Sequence, residues 1–146
     1  MSGRFERFTS GCLAAVLVLF SFGCGQPVLE SENCLASRDP VKRLYSLHID
    51  GGANPKGAKL ERIRGFLSEG LYKKLSANEN GPADYLTQSD KFPKAFRVGT
   101  CRDVDSGTEF DVLLFWRTDE ISREQKIVVS AVKEDDWVVG SARRLN

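Results

Sequence analysis

The sequence predicts an α+β domain in which N-terminal helices pack on a curved antiparallel sheet of about four strands. Apolar residues recur every three or four positions between residues 39 and 77, and from Ala95 onward they alternate with a period of two. The stretch Lys126–Arg144, KIVVSAVKEDDWVVGSARR, holds two β-branched runs on either side of an acidic turn, which predicts a hairpin. A lone hairpin is marginal in water, so further strands and helices must cover it.

Composition limits the classes of function. With 146 residues, 41% of them apolar and 28% charged, the chain is long and balanced enough for one globular domain with its own core. The formal net charge of +1 gives no basic field that would hold nucleic acid. We therefore expect no nucleic-acid partner.

Residues 1–23 have the features of an export signal. Arg4 and Arg7 precede the apolar run Cys12–Phe22, CLAAVLVLFSF. That run has 11 residues, whereas a helix that spans a bilayer needs about 20, so it fits the core of a signal peptide better than a membrane anchor.

The end of this leader resembles the lipobox of bacterial lipoproteins. Gly23 and Cys24 match the lipobox, but Ser21 stands where it usually has Leu. The resemblance implies that Cys24 becomes the lipidated mature N-terminus. It also implies three acyl chains on Cys24, which would make attachment effectively permanent. By the same resemblance, Gly25 after the cysteine suits sorting to an outer membrane, with the domain facing the periplasm. The alternative is ordinary cleavage near Gly23 or Gly25, which would leave a soluble protein.

Cysteine parity agrees with export. Once Cys12 leaves with the leader and Cys24 takes lipid, Cys34 and Cys101 remain as an even pair in an oxidising compartment. We expect them to form a disulfide, the alternative being two free buried thiols.

The chain contains no CxxC motif or Cys/His cluster, so the sequence gives no support for redox catalysis or zinc binding. No cofactor is predicted.

In the mature chain, the polar composition of residues 24–38 predicts a tether, and residues 39–146 are expected to form the domain. Asp39 as N-cap and Pro40 in the first turn predict the start of a helix. Its apolar face holds Val41, Leu44, Tyr45 and His48, and it ends at Asp50-Gly51-Gly52.

A second helical region covers residues 58–77, and Ser68 is placed to cap its second half, which divides it into 58–66 and 69–77. In the turn-rich stretch 78–93, Tyr85 and Leu86 are expected to pack one turn onto the core. Two alternating strands then follow, separated by a turn at residues 105–107, and lead to the final hairpin.

This order of elements resembles the nuclear transport factor two-like superfamily, and in particular a bacterial domain family of that type found on lipoproteins. The resemblance covers about residues 39–145 and is carried by the helix with Tyr45, by FLSEGLYKKL and by KEDDWVVGSARRL. It implies a cone, with helices lying across a strongly bent sheet, that can hold a small molecule and dimerise through its convex face or edges. The superfamily contains isomerases, dehydratases and binding modules, so the fold does not fix the function.

Enzymes of that superfamily use a His, Asp or Tyr inside the cone, so the resemblance makes His48 the one catalytic candidate. The alternative is a half-exposed histidine at the end of a short helix near Asp50. Tyr45, His48, Trp116 and Trp137 are the candidate pocket residues, although large aromatic residues in a small sheet usually belong to the core. Asp111 alternates against the main apolar face and is expected to be exposed.

Together these observations predict an exported, lipid-anchored domain that binds a small apolar ligand or a protein without catalysis. The second hypothesis is a small lyase or isomerase that uses His48, which requires an enclosed cavity with a carboxylate or a Tyr hydroxyl in reach. The third is a periplasmic immunity or inhibitor protein, which requires an exposed apolar or charge-complementary patch.

Overall fold

The computed structural model describes residues 29–77, 83–117 and 122–145, so the predicted leader 1–23 and Cys24 lie outside the described residues. The helices are α1 (Glu32–Gly51), α2 (Ala58–Ile63) and α3 (Glu69–Ala77), with a 3₁₀ turn at Arg64–Phe66 between α2 and α3. The strands are β1 (Ala95–Val104), β2 (Gly107–Arg117), β3 (Ser122–Lys133) and β4 (Trp137–Arg144).

The four strands form one antiparallel sheet in the order β1-β2-β3-β4, which confirms the predicted α+β class with the helices N-terminal to the sheet. The alternation in β2 is regular: Phe110, Val112, Leu114 and Trp116 are buried, and the residues between them are half-buried on the other face. The buried side chains of β2, β3 and β4 meet the apolar stripe of α1 in one core. The period-two pattern therefore identified the face that the helices cover.

Helix α1 starts earlier than the sequence pattern indicated. Its N-cap is Ser31, whose side chain accepts a hydrogen bond from the Cys34 N–H at 3.1 Å, and Glu32 places a negative charge in the first turn. The prediction that the helix begins at Asp39 is wrong, and so is the predicted tether over residues 32–38, which are helical. Pro40 lies inside the helix instead of in its first turn. The core-facing stripe runs back continuously to include Cys34 and Ser37.

The division of the second helical region at Ser68 is confirmed. The Ser68 hydroxyl accepts a hydrogen bond from the Leu71 N–H at 3.2 Å at the start of α3, and the chain before it ends in the 3₁₀ turn. The Ser68 N–H donates to the Val139 carbonyl on β4 at 2.9 Å. The cap thus also fixes this helical region against the sheet.

Both edges of the sheet are partly covered. On β1 the Arg38 guanidinium donates to the carbonyls of Val98 (3.3 Å) and Gly99 (3.0 Å), where the strand has a bulge opposite β2. On β4 the Val139 carbonyl accepts from Ser68, and the Ala142 carbonyl accepts from the Gln88 amide at 3.1 Å. Such contacts occupy carbonyls that would otherwise be open to a strand from another chain.

The predicted pairing of Cys34 with Cys101 is confirmed. The two sulfurs lie at disulfide distance, with Cα atoms 5.8 Å apart, and they join the first turn of α1 to the edge strand β1. The pair closes a loop with a sequence separation of 67 residues. It therefore holds the start of the helix on a strand far away in the sequence.

We expect the double variant Cys34→Ala/Cys101→Ala to lose about 4 kcal/mol in free energy of unfolding, since the cross-link removes loop entropy from the unfolded chain. Urea titration of the oxidised protein and the variant measures the difference. Ser76→Ala, at an exposed position on α3, is the control and should change stability by less than about 0.5 kcal/mol. Two alkylatable thiols in the non-reduced native protein would contradict the bridge.

Candidate functional site

Three of the four candidate pocket residues fasten one irregular segment, Ala83–Pro93, to the rest of the domain. The Tyr45 hydroxyl donates to the Leu86 carbonyl at 2.7 Å, and the indole N–H of Trp116 donates to the Lys91 carbonyl at 2.7 Å. His48 contacts Asp84 in the same segment. The polar tips of these side chains are therefore used inside the protein, while their rings fill the core.

The segment between these contacts makes a single turn. The Gln88 N–H donates to the Asp84 carbonyl at 2.7 Å, and the Asp84 N–H donates to the Ser89 carbonyl at 3.0 Å. Leu86 is fully buried at the centre of the turn, and Tyr85 packs against the edge of the core. The expectation that Tyr85 and Leu86 pack one turn onto the core is confirmed.

His48 and Asp84 form a buried pair. Each is 2% exposed, and the His48 Nε2 lies 2.9 Å from Asp84 Oδ1. The same carboxylate accepts the backbone N–H groups of Asn54 at 2.8 Å and Thr87 at 2.9 Å. The Phe92 ring makes a T-shaped contact with the imidazole, with centroids 5.3 Å apart. The alternative prediction, that His48 is half-exposed at the end of its helix, is therefore wrong.

The charge state of Asp84 follows from these contacts. Burial is the largest influence and by itself raises the pKa of the carboxyl, but the hydrogen bond and charge of His48 and the two backbone donors together outweigh it. The pKa of Asp84 consequently lies below its ordinary value. Because an ionised carboxylate only accepts hydrogen bonds, the proton between the two side chains is on His48 Nε2.

The other imidazole nitrogen, Nδ1, has no hydrogen-bond partner among the described residues. An imidazole that is held by a carboxylate at one nitrogen and is unpaired at the other resembles the His–Asp arrangement of general bases. The cavity that His48 lines with Leu47, Pro55 and Ile63 has a volume of only about 10 Å³, however, which is at most the size of one water molecule. The pair has the chemistry of an acid–base site but no space for a substrate in that cavity.

Tyr45 does not supply a second base. Its ring is fully buried, and burial, followed by the negative charge of Asp84 and the nearby Tyr85, raises the pKa of its hydroxyl well above the ordinary value. The hydroxyl therefore stays protonated and acts as a hydrogen-bond donor.

Trp137 is half-buried at the start of β4, where it packs against the core opposite Lys133 in β3. The structure thus groups Tyr45, His48 and Trp116 around the Ala83–Pro93 segment, with Trp137 in the final hairpin.

The opposite face of the sheet carries a network of charges. Glu109 accepts from Arg102 at 2.7 Å and from Arg143 at 3.1 Å, and Asp111 lies 3.3 Å from both Arg102 and Lys126. Burial opposes ionisation of Glu109, but its hydrogen bonds to Arg143 and Arg102 hold its pKa below the ordinary value. Asp111 is on the face that the sequence indicated, but it is half-buried and paired, not freely exposed.

Asp84 is the site residue that the sequence did not reveal. It lies 36 positions from His48, in a stretch identified only as turn-rich. The one local signal is the spacing from Asp84 to Thr87, since an aspartate at the start of a turn often accepts the backbone N–H of a following residue.

No family model, curated protein or solved structure matches this chain. Within the described residues there is no group of three or more His, Cys, Asp or Glu side chains that could hold a metal ion. No helix in that part of the chain is long and apolar enough to cross a bilayer.

We expect Asp84→Ala to lower the free energy of unfolding by about 3–5 kcal/mol, because it leaves the imidazole N–H and two backbone N–H groups buried without an acceptor. Chemical denaturation measures the loss. Glu124→Ala removes an exposed carboxylate from β3 and is the matched control. Its free energy of unfolding should lie within about 0.5 kcal/mol of that of the parent protein. A loss from Asp84→Ala as small as the control's would show that the pair does not stabilise the fold.

The pH dependence of stability should report the same pair. Because the pKa of Asp84 is lower in the folded than in the unfolded protein, its contribution is fully present above the unfolded value of about 3.9 and is lost as the pH falls through the folded value. Urea unfolding between pH 5 and 2 should show stability falling below about pH 4. In Asp84→Asn the fall should be shallower, and an identical slope in both proteins would contradict the assignment.

Proposed function

We propose that this protein is an exported lipoprotein whose single domain binds a ligand or partner without catalysis. The main support is the enclosure of His48. His48 and Asp84 are each 2% exposed and lie beside a cavity of about 10 Å³, whereas binding sites for small molecules have volumes of about 300–1,000 Å³. The pair therefore serves the fold, and binding takes place on the outside of the domain.

Attachment to a membrane through Cys24 is part of this proposal. Because α1 begins at Glu32, only residues 25–31 separate the domain from Cys24, and seven residues reach at most about 25 Å. The domain would lie close to the lipid surface, with the start of α1 nearest to it. Leu29 is 90% exposed and Leu35 is 61% exposed at that end, which suits a position beside a bilayer.

Membership of the nuclear transport factor two-like superfamily also stands as a proposal. Its support is the order of the elements, with helices first and a four-stranded meander after them. Strands β1 and β4 each contain a bulge, and bulges are local features that bend strands, as the strongly bent sheet of a cone requires. Homodimerisation through the convex face or the edges of the sheet is proposed on the same resemblance.

A lyase or isomerase is the second candidate, and one observation favours it: the Asp84 carboxylate is within hydrogen-bond reach of His48. The reaction would require the Ala83–Pro93 segment to move away and admit a substrate to the imidazole. The segment is held by Tyr45, Trp116 and Gln125 in addition to His48, so we place this candidate second.

An immunity or inhibitor role would instead be recognised by capture of one stoichiometric protein from an envelope extract.

The anchor is tested by Cys24→Ala. We expect the variant to lose incorporation of an alkyne-labelled fatty acid and to leave the membrane fraction, because the acyl chains supply the attachment. The control is Cys34→Ala/Cys101→Ala, which removes two cysteines but keeps Cys24 and should stay labelled and membrane-bound. Fatty-acid labelling that persists in Cys24→Ala would contradict the lipobox.

A further inference from the structure

The start of α1 carries two leucines that the fold does not bury. Leu29 is 90% exposed and Leu35 is 61% exposed, and the other exposed large apolar side chain in the described part of the chain is Leu145, at 41%. Single exposed leucines are common on protein surfaces, so their number alone carries nothing. Their position is informative, because both Leu29 and Leu35 lie at the end of the domain that is joined to Cys24.

The residues that follow Leu29 are held in place. The Glu30 carboxylate accepts hydrogen bonds from the Arg38 guanidinium, with Arg38 Nε 3.0 Å from Glu30 Oε2, in a half-buried ion pair. Arg38 is fixed in turn by two carbonyls of β1, and Ser31 is the N-cap of α1. The chain therefore has a set path up to Leu29, and this leucine is exposed as part of a defined structure.

Leu35 lies on a helix whose orientation is fixed. The Cys34–Cys101 pair and the buried hydrogen bond between the hydroxyls of Ser37 and Thr108, at 2.8 Å, determine which side of α1 faces the sheet. Leu35 lies outside that buried side. It could reach the core only if the helix turned about its axis, and those two contacts oppose such a rotation.

The proposed anchor determines how near these leucines are to a bilayer. From Cys24 to Leu29 the chain reaches at most about 18 Å when it is fully extended. On so short a tether the domain meets the bilayer at an effective concentration of about millimolar or higher, so a contact too weak to hold a free protein is still populated. Two leucines supply such a contact, because moving each of them out of water is favourable.

The charges around the two leucines select the class of lipid. Glu32 in the first turn of α1 is exposed, and Asp103 on β1 accepts a hydrogen bond from the Asn33 amide at 3.3 Å. Neither carboxylate has a cationic partner within the described residues. The one basic side chain nearby on α1, Arg38, is paired with Glu30. Anionic head groups are therefore repelled, whereas zwitterionic head groups bring no net charge against these carboxylates.

We propose that Leu29 and Leu35 insert into the interface of a bilayer of zwitterionic lipid and hold the anchored domain on the membrane by the start of α1. This contact rests on the proposed lipid anchor at Cys24 and adds to it a second, apolar attachment with a stated lipid class. The Ala83–Pro93 segment contacts His48, which is about 20 Å from the first turn along the helix axis. That segment therefore lies farther from the lipid.

The test uses the full-length lipidated protein in phosphatidylcholine nanodiscs that contain a nitroxide-labelled lipid, which broadens the amide signals of residues near the membrane. We expect strong broadening at residues 32–36 and weak broadening at residues 84–88. Leu29→Ser/Leu35→Ser should reduce the broadening at residues 32–36 at least about threefold, because both apolar contacts are lost, and should keep the fatty acid on Cys24. The control Leu145→Ser removes an exposed leucine elsewhere and should leave the broadening unchanged.

A second arm tests the lipid class: an equimolar mixture with phosphatidylglycerol should reduce the broadening at residues 32–36, and an increase would overturn the preference for zwitterionic lipid. Equal broadening in Leu29→Ser/Leu35→Ser and the parent protein would overturn the insertion, since the tether alone would then bring the helix to the membrane. A sample without fatty acid on Cys24 would refute the anchor and the contact with it. Because the fatty acid is measured on the same sample, the two failures are distinguished.

Discussion

The attachment of α1 to the sheet is the constraint on which the rest of this structure depends. The Cys34–Cys101 pair holds the first turn of the helix, and the His48–Asp84 contact holds its last turns. Between them the apolar stripe of α1 packs on the buried faces of β2, β3 and β4. Helix α2 and the Ala83–Pro93 segment both contact α1 in this arrangement.

The His48–Asp84 pair shows how this fold holds a carboxylate in its interior. A buried carboxylate is costly unless every lone pair finds a donor, and Asp84 receives donors from His48, Asn54 and Thr87. This arrangement ties the end of α1, the loop after it and the Ala83–Pro93 segment to a single charged group. The cavity beside the pair has a volume of only about 10 Å³. The proposed function therefore places binding on the outside of the domain.

Much of the fold could be predicted from the sequence because its signals are local. The change from a helical period to a period of two at Ala95 located the sheet, the Ser68 cap divided the second helical region, and cysteine parity gave the disulfide. The start of α1 was missed because Asp39-Pro40 gives a strong initiation signal, while the weaker pair Ser31-Glu32 lies in a polar stretch. A proline inside a helix is disfavoured, and packing of Cys34 and Ser37 on the sheet outweighs that cost here.

The candidate site depended on contacts that no local pattern carries. His48 was found as the one histidine on an apolar stripe, but its partner is 36 residues away.

Native-state hydrogen exchange tests this account most directly, because it measures how firmly each part of α1 is held. The account predicts that the amides of residues 36–39 exchange about as slowly as those of residues 41–48, as one cooperative helix fixed to the sheet. Exchange of residues 36–39 at the rate of an unstructured peptide, with residues 41–48 protected, would contradict it and restore the long tether.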